Sequence, residues 1–217
     1  MRTLAVFARW PEPGRVKTRL APALPQDLAC ALQRAMLEDT LRAARGARAD
    51  RRVLAWAEAP ADPLPTVPGF EIARQRGEDL GARLAFGFDA LLAAGGPVVI
   101  TGADAPETEP ARLDAALDAL AASDLVLGAT LDGGYDLVGL AAPAPGLFAG
   151  ISWSTPRARA ETEDRARARD LRLRTLEPIA DVDTPADLVA LIGRMLVASA
   201  PPRATTTALA DMGLLPR

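Results

Sequence analysis

The chain has 217 residues, enough to bury one sizeable core, and its 49% hydrophobic and 24% charged residues are typical of a globular α/β protein. A net charge of −3 gives no bulk attraction to nucleic acid or anionic membrane, so any affinity for phosphate must be local. The sequence contains no histidine, which excludes a Ser-His-Asp triad, a histidine base and a histidine-ligated zinc site. Carboxylates, cations, hydroxyls and backbone amides remain for chemistry, and they suit a hard cation such as Mg²⁺.

The single cysteine, Cys30, cannot form an internal disulfide and lies in an apolar helical pattern. We expect a buried free thiol, as suits a reducing cytoplasm. No signal peptide precedes the first predicted strand, and no apolar run approaches the roughly 18–20 residues needed to cross a bilayer. The sequence therefore predicts a cytoplasmic protein without a membrane span, and it leaves the oligomeric state open.

Predicted strands and helices alternate along the chain. The predicted strands are residues 3–7, 52–57, 71–73, 97–101, 124–130, 136–140 and 171–176. The predicted helices are residues 26–45, 79–94, 110–122, 154–169 with Ser154 as the N-cap, and 185–197. This alternation predicts an α/β three-layer sandwich with a mostly parallel central sheet, to which a turn at residues 132–135 adds one antiparallel hairpin. We expect one domain, residues 1–198, followed by a loosely attached tail, residues 199–217.

Ligands of such sheets bind outside the carboxyl ends of the strands. Three polar stretches follow the first, central and last predicted strands, namely residues 7–22, 102–109 and 181–185. We therefore expect these three stretches to meet at one site.

The first of these stretches reads FARWPEPGRVKTRLAP, residues 7–22. Its prolines restrict its shape, and Gly14 allows the backbone to approach a ligand closely. Lys17 and Arg19 place two cations around the hydroxyl of Thr18, a set that can hold a di- or triphosphate. The glycines that precede the lysine of a Walker loop are missing, and the alternative interpretation is a solvated basic loop.

Asp104 and Asp183 are the candidate metal ligands. Asp104 directly follows the buried central strand in TGADAPE, where a turn or capping residue is the alternative. Asp183 lies in DVDTPADL, where Thr184 or Asp183 is also expected to cap the last helix with Pro185 at its first position. Two carboxylates at one sheet edge could share a Mg²⁺ ion with the phosphates of a nucleotide.

Two further segments lie near the same edge. The turn LDGGYD carries Tyr135, the only tyrosine of the chain. The segment QRGEDLGAR, residues 75–83, places two glycines around a helix start, which could bring backbone amides to a ribose or base. An ordinary capped helix is the alternative there.

Together the segments FARWPEPGRVKTRL, GEDLGARL, TGADAPE, LDGGYDLVGL, ISWST and DVDTPADL resemble, in the same order, the bacterial glycosyltransferase-A-like "transferase 1" proteins. Those proteins are associated with radical-SAM and arsenosugar or selenium-related genes. They are related in fold to 2-phospholactate guanylyltransferase and the molybdenum-cofactor guanylyltransferases. The resemblance runs from about Arg2 to Leu191 and implies a nucleotide-diphospho-sugar transferase (GT-A) fold.

The resemblance also implies roles for individual residues. Lys17 and Asp104 would be catalytic, and Asp104 and Asp183 would hold Mg²⁺ or Mn²⁺. The implied nucleotide-binding residues are Arg9, Gly14, Lys17, Thr18, Arg19, Asp79, Leu80, Gly81 and Arg83. The implied acceptor-binding residues are Asp132, Gly133, Gly134, Tyr135 and Trp153.

We therefore predict a Mg²⁺-dependent, glycosyltransferase-like enzyme with a nucleotide or nucleotide-sugar donor and a small-molecule acceptor. Nucleotidyl transfer to a phosphorylated or carboxylate acceptor is an alternative, because the triplet ending at Asp104 has one aspartate where many glycosyltransferases of this fold carry two. An alcohol acceptor would need a base, for which Asp132 or Asp136 are the nearest candidates. A catalytically silent nucleotide-binding module is a further alternative, whereas scattered arginines on an acidic chain disfavour a nucleic-acid binder.

Overall fold

The computed structural model describes residues 1–60 and 62–216. Its strands are β1 (Thr3–Arg9), β2 (Arg51–Ala57), β3 (Glu71–Arg74), β4 (Val98–Thr101), β5 (Leu125–Thr130), β6 (Tyr135–Leu140) and β7 (Leu173–Ile179). Its helices are α1 (Gln26–Gly46), α2 (Leu80–Leu92), α3 (Pro110–Ala119), α4 (Ala158–Arg167), α5 (Pro185–Val197) and α6 (Arg203–Asp211). A single 3₁₀ turn, Thr18–Leu20, precedes α1.

The described strands form one seven-stranded sheet in the order β3-β2-β1-β4-β6-β5-β7. Strand β1 pairs in parallel with β2 and β4, β2 with β3, and β5 with β7. Strand β6 is inserted between β4 and β5 and runs antiparallel to both. The predicted α/β fold with a mostly parallel sheet and one antiparallel hairpin is confirmed.

Helices cover both faces of the sheet. Successive side chains of a strand point to opposite faces, so neighbouring residues of one strand pack against different helices. Leu4 and Val6 of β1 pack with α1 and α3, whereas Ala5 between them packs with α2 and α4. The four residues of β4 are all buried, as its continuous apolar run predicts. The second side of α1 packs against α5 and α6 in a further apolar cluster.

The start of α4 differs from the prediction. Ser154 is not its N-cap: the backbone of Ser154 has a φ of 59°, and Arg157 precedes the first helical residue. The hydroxyl of Thr155 donates to the carbonyl of Ser152 at 2.7 Å. This side-chain hydrogen bond closes a turn before the helix, and α4 begins only at Ala158. The last strand also differs, since its pairing with β5 continues to Ile179 rather than ending at residue 176.

The segment predicted as a loose tail contains α6, which packs on α1. The carboxylate of Asp39, buried in α1, accepts hydrogen bonds from the backbone N–H groups of Ala204 and Thr205 at 3.0 and 2.7 Å. It thereby satisfies two of the free donors at the start of α6. Thr205 and Leu209 are fully buried in this contact. Residues 203–211 are therefore attached to the rest of the protein by a cap and an apolar contact.

Cys30 is a buried free thiol in α1, as expected. Within the part of the chain that the structure describes, no helix has both the length and the apolar character needed to cross a membrane.

Candidate functional site

The loops that follow β1, β4 and β7 meet at the carboxyl edge of the sheet. The Lys17 ammonium donates to a carboxylate oxygen of Asp183 at 2.8 Å and to a carboxylate oxygen of Asp104. The backbone N–H of Val182 donates to the carbonyl of Asp104 at 2.9 Å and joins the second loop to the third. One cation and two carboxylates, separated by up to 166 positions in sequence, thus form a single cluster.

The local sequence directs Lys17 into this cluster. Val16 and Leu20 are buried on either side of it and anchor the loop. The backbone of Lys17 adopts a left-handed conformation, with φ of 49°, and the 3₁₀ turn begins directly after it. Only 3% of the Lys17 side chain is exposed, whereas the two carboxylates face the solvent.

Burial alone would lower the pKa of the Lys17 ammonium. Attraction to Asp104 and Asp183 outweighs that effect, and the pKa of Lys17 is raised. The side chain therefore carries a positive charge throughout the neutral pH range. Arg19 adds a second cation: its guanidinium lies 3.9 Å from Asp183 and is largely exposed.

A cleft with two compartments opens above this cluster. The outer compartment has a volume of about 530 Å³ and is lined by polar groups that include Lys17, Thr18, Arg19, Asp183 and Trp153. The inner compartment has a volume of about 240 Å³ and is more apolar, with Gln75, Leu84, Ile100, Tyr135 and Asp181 among its lining residues. Arg9, Leu80, Arg83 and Asp104 line both compartments.

Glu58 connects the two arginines that line both compartments. Its carboxylate lies 3.6 Å from the guanidinium groups of both Arg9 and Arg83. Its backbone φ of 59° is unusual for a residue other than glycine. Sequence reasoning missed Glu58, because its distance from Arg83 in the chain gives no sign of this contact.

Three of the predicted nucleotide-binding residues have structural roles in this chain. Gly14 has a φ of 77°, a backbone conformation that favours glycine, so the path of the loop accounts for the residue at this position. Gly14 does not line either compartment. Asp79 caps α2 by accepting from the N–H of Ala82 at 2.7 Å. Gly81 allows α2 to approach the segment at residues 148–153, since a Cβ there would lie 2.4 Å from the carbonyl oxygen of Phe148.

The predicted acceptor residues form the β5–β6 turn and its surroundings. A carboxylate oxygen of Asp132 accepts from the hydroxyl of Thr130 at 2.6 Å and from the N–H of Gly134 at 2.9 Å, and Gly133 has a φ of 91°. Tyr135 packs edge-to-face on Trp153 with ring centroids 6.1 Å apart. Burial raises the pKa of the Tyr135 phenol, whose oxygen lies 3.4 Å from the hydroxyl of Thr162. The two rings connect the inner compartment, lined by Tyr135, to the outer one, lined by Trp153.

Asp136 has a structural role that does not suit a general base. It is almost fully buried and accepts two hydrogen bonds from the guanidinium of Arg112, at 2.7 and 3.1 Å. Burial raises the pKa of Asp136 despite the bonds to Arg112. Both oxygens of Asp136 are engaged by Arg112 in α3, whereas the bonds to Asp132 engage only one of its two oxygens, so Asp132 remains the base candidate of the pair. Asp132 lines neither compartment, whereas Asp136 lines the inner one.

Asp181 and Gln75 also line the inner compartment; the sequence interpretation included their segments but gave neither residue a role of its own. Burial, together with repulsion from Asp132 and Asp183, raises the pKa of Asp181 to about 6. The available signal was the apolar Val182 between two acidic residues, and Val182 is fully buried. Gln75 directly follows β3, and its side-chain amide donates to the carbonyl of Ala55 in β2 at 2.8 Å.

The donors at Asp104 and Asp183 fit a hard divalent cation. Both carboxylates already contact one positive charge, the ammonium of Lys17. Among residues 1–60 and 62–216, however, no three His, Cys, Asp or Glu side chains are grouped so as to hold a metal. Because Mg²⁺ usually keeps several waters and binds through one or two carboxylates plus substrate phosphates, two protein ligands are compatible with it.

The sheet, its strand order and its binding edge define the chain as a protein with the fold of nucleotide-diphospho-sugar transferases and nucleotidyltransferases. Residues 24–155 match the family model described as "Uncharacterized protein conserved in bacteria (DUF2064)". The chain belongs to this family. No curated protein matches the chain.

Solved structures share the fold across nearly the whole chain. A protein from Desulfovibrio desulfuricans G20, provisionally named a nucleotide-diphospho-sugar transferase, is 30% identical with a TM-score of 0.89 over 98% of this chain and 95% of its own. The manganese complex of Rv0371c from Mycobacterium tuberculosis is 20% identical with a TM-score of 0.55, covering 92% of this chain and 99% of its own. CMP:2-keto-3-deoxy-manno-octonic acid synthetase complexed with CTP is 14% identical with a TM-score of 0.56, covering 90% and 98%. At these identities the last two show a common fold.

Proposed function

We propose that this protein is a divalent-metal-dependent transferase that uses a nucleotide-activated donor. The observation that carries the proposal is the convergence of Lys17, Asp104 and Asp183 at the carboxyl edge of the sheet, within a cleft large enough for a nucleotide. Ligands of open α/β sheets bind at this edge. The resemblance to a protein named as a nucleotide-diphospho-sugar transferase, and to a synthetase whose structure is complexed with CTP, supports the same class.

The charges around the cleft suit the phosphates of such a donor. Lys17, Arg19, Arg9 and Arg83 all line the outer compartment, so the chain supplies four cations there. Arginine and lysine side chains bind phosphate oxygens strongly in sites that are partly shielded from water. The smaller and more apolar inner compartment suits an uncharged part of a substrate, such as a base or a sugar.

The two carboxylates define where a metal would act. Asp104 and Asp183 would hold Mg²⁺ or Mn²⁺, and the manganese complex of Rv0371c shows that a protein of the same fold takes such an ion. When bound, the ion would neutralise negative charge on phosphate oxygens. Lys17 and Arg19 orient the phosphates and stabilise the charge that develops on them as the bond to the transferred group breaks.

Transfer of a glycosyl group is our first choice for the reaction. The acceptor would approach from the β5–β6 turn, where Tyr135 lines the inner compartment and its ring neighbour Trp153 lines the outer one. Asp132, Gly133 and Gly134 form the turn beside Tyr135, and Asp132 would take the proton of an alcohol. Nucleotidyl transfer is the second candidate, and it is favoured by the single aspartate after β4 and by the likeness to a synthetase that binds CTP. In a catalytically silent module the same residues would bind the nucleotide without turnover.

A product assay with an Asp104→Asn variant tests the proposal. We expect the wild type to release a nucleoside diphosphate from a nucleotide sugar, or pyrophosphate from a nucleoside triphosphate, in the presence of Mn²⁺ and a pool of sugar and phosphorylated acceptors. Asp104→Asn should reduce this rate by about 10²-fold or more, because it removes one of two metal-binding carboxylates.

Asp211→Asn, which changes an exposed carboxylate on α6, is the control and should retain the wild-type rate. Binding of nucleotide without release of either product would favour the silent module. Full activity of Asp104→Asn, or full activity in excess chelator, would exclude the metal role.

A further inference from the structure

We propose that the Asp104–Asp183 site accepts a divalent metal only as its complex with a di- or triphosphate, because Lys17 already serves as the cation of this carboxylate pair. The inference rests on the proposed function, since it takes Asp104 and Asp183 as the metal ligands. It adds the identity of the binding species: a metal–polyphosphate chelate rather than the free ion.

The contacts of Lys17 carry this inference. Its ammonium hydrogen-bonds to both carboxylates, at 2.8 Å from Asp183 and in direct contact with Asp104. The Lys17 side chain is 3% exposed, while those of Asp104 and Asp183 are 53% and 37% exposed. The ammonium therefore lies on the protein side of the pair, and the carboxylates face the cleft.

The charge balance then disfavours the free ion. Lys17 leaves the cluster with one net negative charge instead of two, and its positive charge lies within hydrogen-bond distance of one oxygen of each carboxylate that would hold the metal. A divalent ion approaching these oxygens is repelled by the ammonium at short range. With no third acidic ligand grouped with them in the described part of the chain, the pair offers little to offset that repulsion.

A chelate removes both obstacles. Its phosphate oxygens fill metal positions that the protein does not, as is usual for Mg²⁺ bound with substrate phosphates. The same oxygens bring negative charge close to Lys17 and Arg19, which both line the outer compartment, and this charge offsets the repulsion between the ammonium and the metal. Metal and polyphosphate therefore bind with positive cooperativity, each increasing the affinity for the other.

Manganese binding, followed by the paramagnetic signal of the free ion, tests this inference. We expect Lys17→Met to bind Mn²⁺ alone at least about tenfold more tightly than the wild type, since it removes one unit of opposing charge at close range. Arg15→Met is the matched control: it removes a cation from the same loop, but one that is 60% exposed, pairs with Glu12 at 3.1 Å and lines neither compartment. It should stay within about threefold of the wild type. Adding Asp104→Asn to Lys17→Met should abolish the gain.

The wild type alone provides a second test that needs no variant. With pyrophosphate as the probe, the protein should retain Mn²⁺ at concentrations about tenfold or more below those needed for Mn²⁺ alone, as measured by protein-bound metal after rapid gel filtration. Wild-type protein that binds Mn²⁺ alone as tightly as Lys17→Met does, and without any effect of pyrophosphate, would overturn the inference and leave the proposed metal-dependent function intact. Absence of protein-bound Mn²⁺ in every variant, with and without pyrophosphate, would instead overturn the metal role itself.

Discussion

At the scale of single residues, Asp181 shows how crowded the acidic side of the cleft is. It lies in the loop after β7 and lines the inner compartment, and burial together with Asp132 and Asp183 raises its pKa to about 6. An unfolded chain would ionise the same carboxyl near pH 3.8. The folded protein therefore resists a negative charge at this position.

This shift predicts a pH-dependent effect of Asp181→Asn. Because the folded pKa is raised, the folded state holds the proton more tightly, and its stability falls as the pH rises from about 4 to about 6. Above about pH 6 the full cost is present, and Asp181→Asn should remove it, increasing the free energy of unfolding by about 1 kcal/mol after allowance for solvent screening. At pH 4 the variant and the wild type should differ little.

Urea denaturation at pH 4 and pH 7.5 measures this difference. Asp89→Asn changes an exposed carboxylate on α2 and serves as the control, with no effect at either pH. A variant at Asp181 that is equally or less stable than the wild type at pH 7.5 would contradict the assigned electrostatics.

Residues at strand ends were the predictable part of the site. Lys17, Asp104 and Asp183 follow strands that end at one edge of a parallel sheet, so their convergence follows from the strand pattern and the binding-edge rule. The bridge made by Glu58 depends on a left-handed backbone and on side-chain directions, neither of which a local pattern records. The position of the Lys17 ammonium beneath the carboxylates was likewise beyond the sequence, since a basic loop can equally point its cations outward.

At the scale of elements, the pair formed by Arg112 and Asp136 connects α3 to β6 across the edge of the site. The Arg112 guanidinium also donates to the carbonyl of Glu177 in β7, at 2.7 Å. The pair is largely buried, with each partner satisfying the charge of the other. Its main effect is to hold the β5–β6 hairpin and the edge strand β7 in place beneath the cleft.

Arg112→Ala should therefore be strongly destabilising. It leaves the carboxylate of Asp136 buried without its partner, which we expect to cost about 3 kcal/mol of unfolding free energy. Arg172→Ala breaks an exposed pair with Asp124 and should be much less destabilising than Arg112→Ala. Chemical denaturation measures the free energy of unfolding of both variants. Similar small decreases in the two would show that the buried pair is not important for stability.

Helix starts were predicted unevenly. The sequence Thr-Pro-Ala-Asp signals the start of α5, and Thr184 and Asp187 do form a reciprocal capping box there. Ser154 carries an equally good capping residue type, but a left-handed backbone and a turn closed by Thr155 move the start of α4 to Ala158. A residue type indicates a cap only where the preceding chain enters the helix with the right backbone angles.

At the scale of the whole molecule, alternation of strands and helices was sufficient to predict the fold. It could not predict the insertion of β6 between β4 and β5, which depends on long-range pairing. It also missed α6, because a short polar segment becomes helical here through tertiary contacts with α1. We propose that α6 is an integral part of the domain.

Removal of residues 199–217 tests that proposal. The truncation exposes the apolar surface of α1 that Leu209 and Leu215 cover, and it leaves the buried carboxylate of Asp39 without its partners in α6. Two leucines contribute about 3 kcal/mol or more, so the melting temperature should fall by about 6 °C or more. The control Val197→Ser, at a highly exposed position of α5, should melt as the wild type does. A truncated protein with an unchanged melting temperature would mean that the tail is loosely attached after all.

The most direct test of the central claim is a thermal-shift screen of the wild type and Lys17→Ala against nucleoside triphosphates, diphosphates and nucleotide sugars with Mn²⁺. A nucleotide at a hundred times its dissociation constant adds about 2.7 kcal/mol of apparent stability, which corresponds to a shift of roughly 5–10 °C for a chain of this size. We predict such a shift for at least one nucleotide in the wild type and its loss in Lys17→Ala. A screen in which no nucleotide raises the melting temperature, or in which Lys17→Ala responds as fully as the wild type, would contradict the assignment of this cleft as a nucleotide–phosphate site.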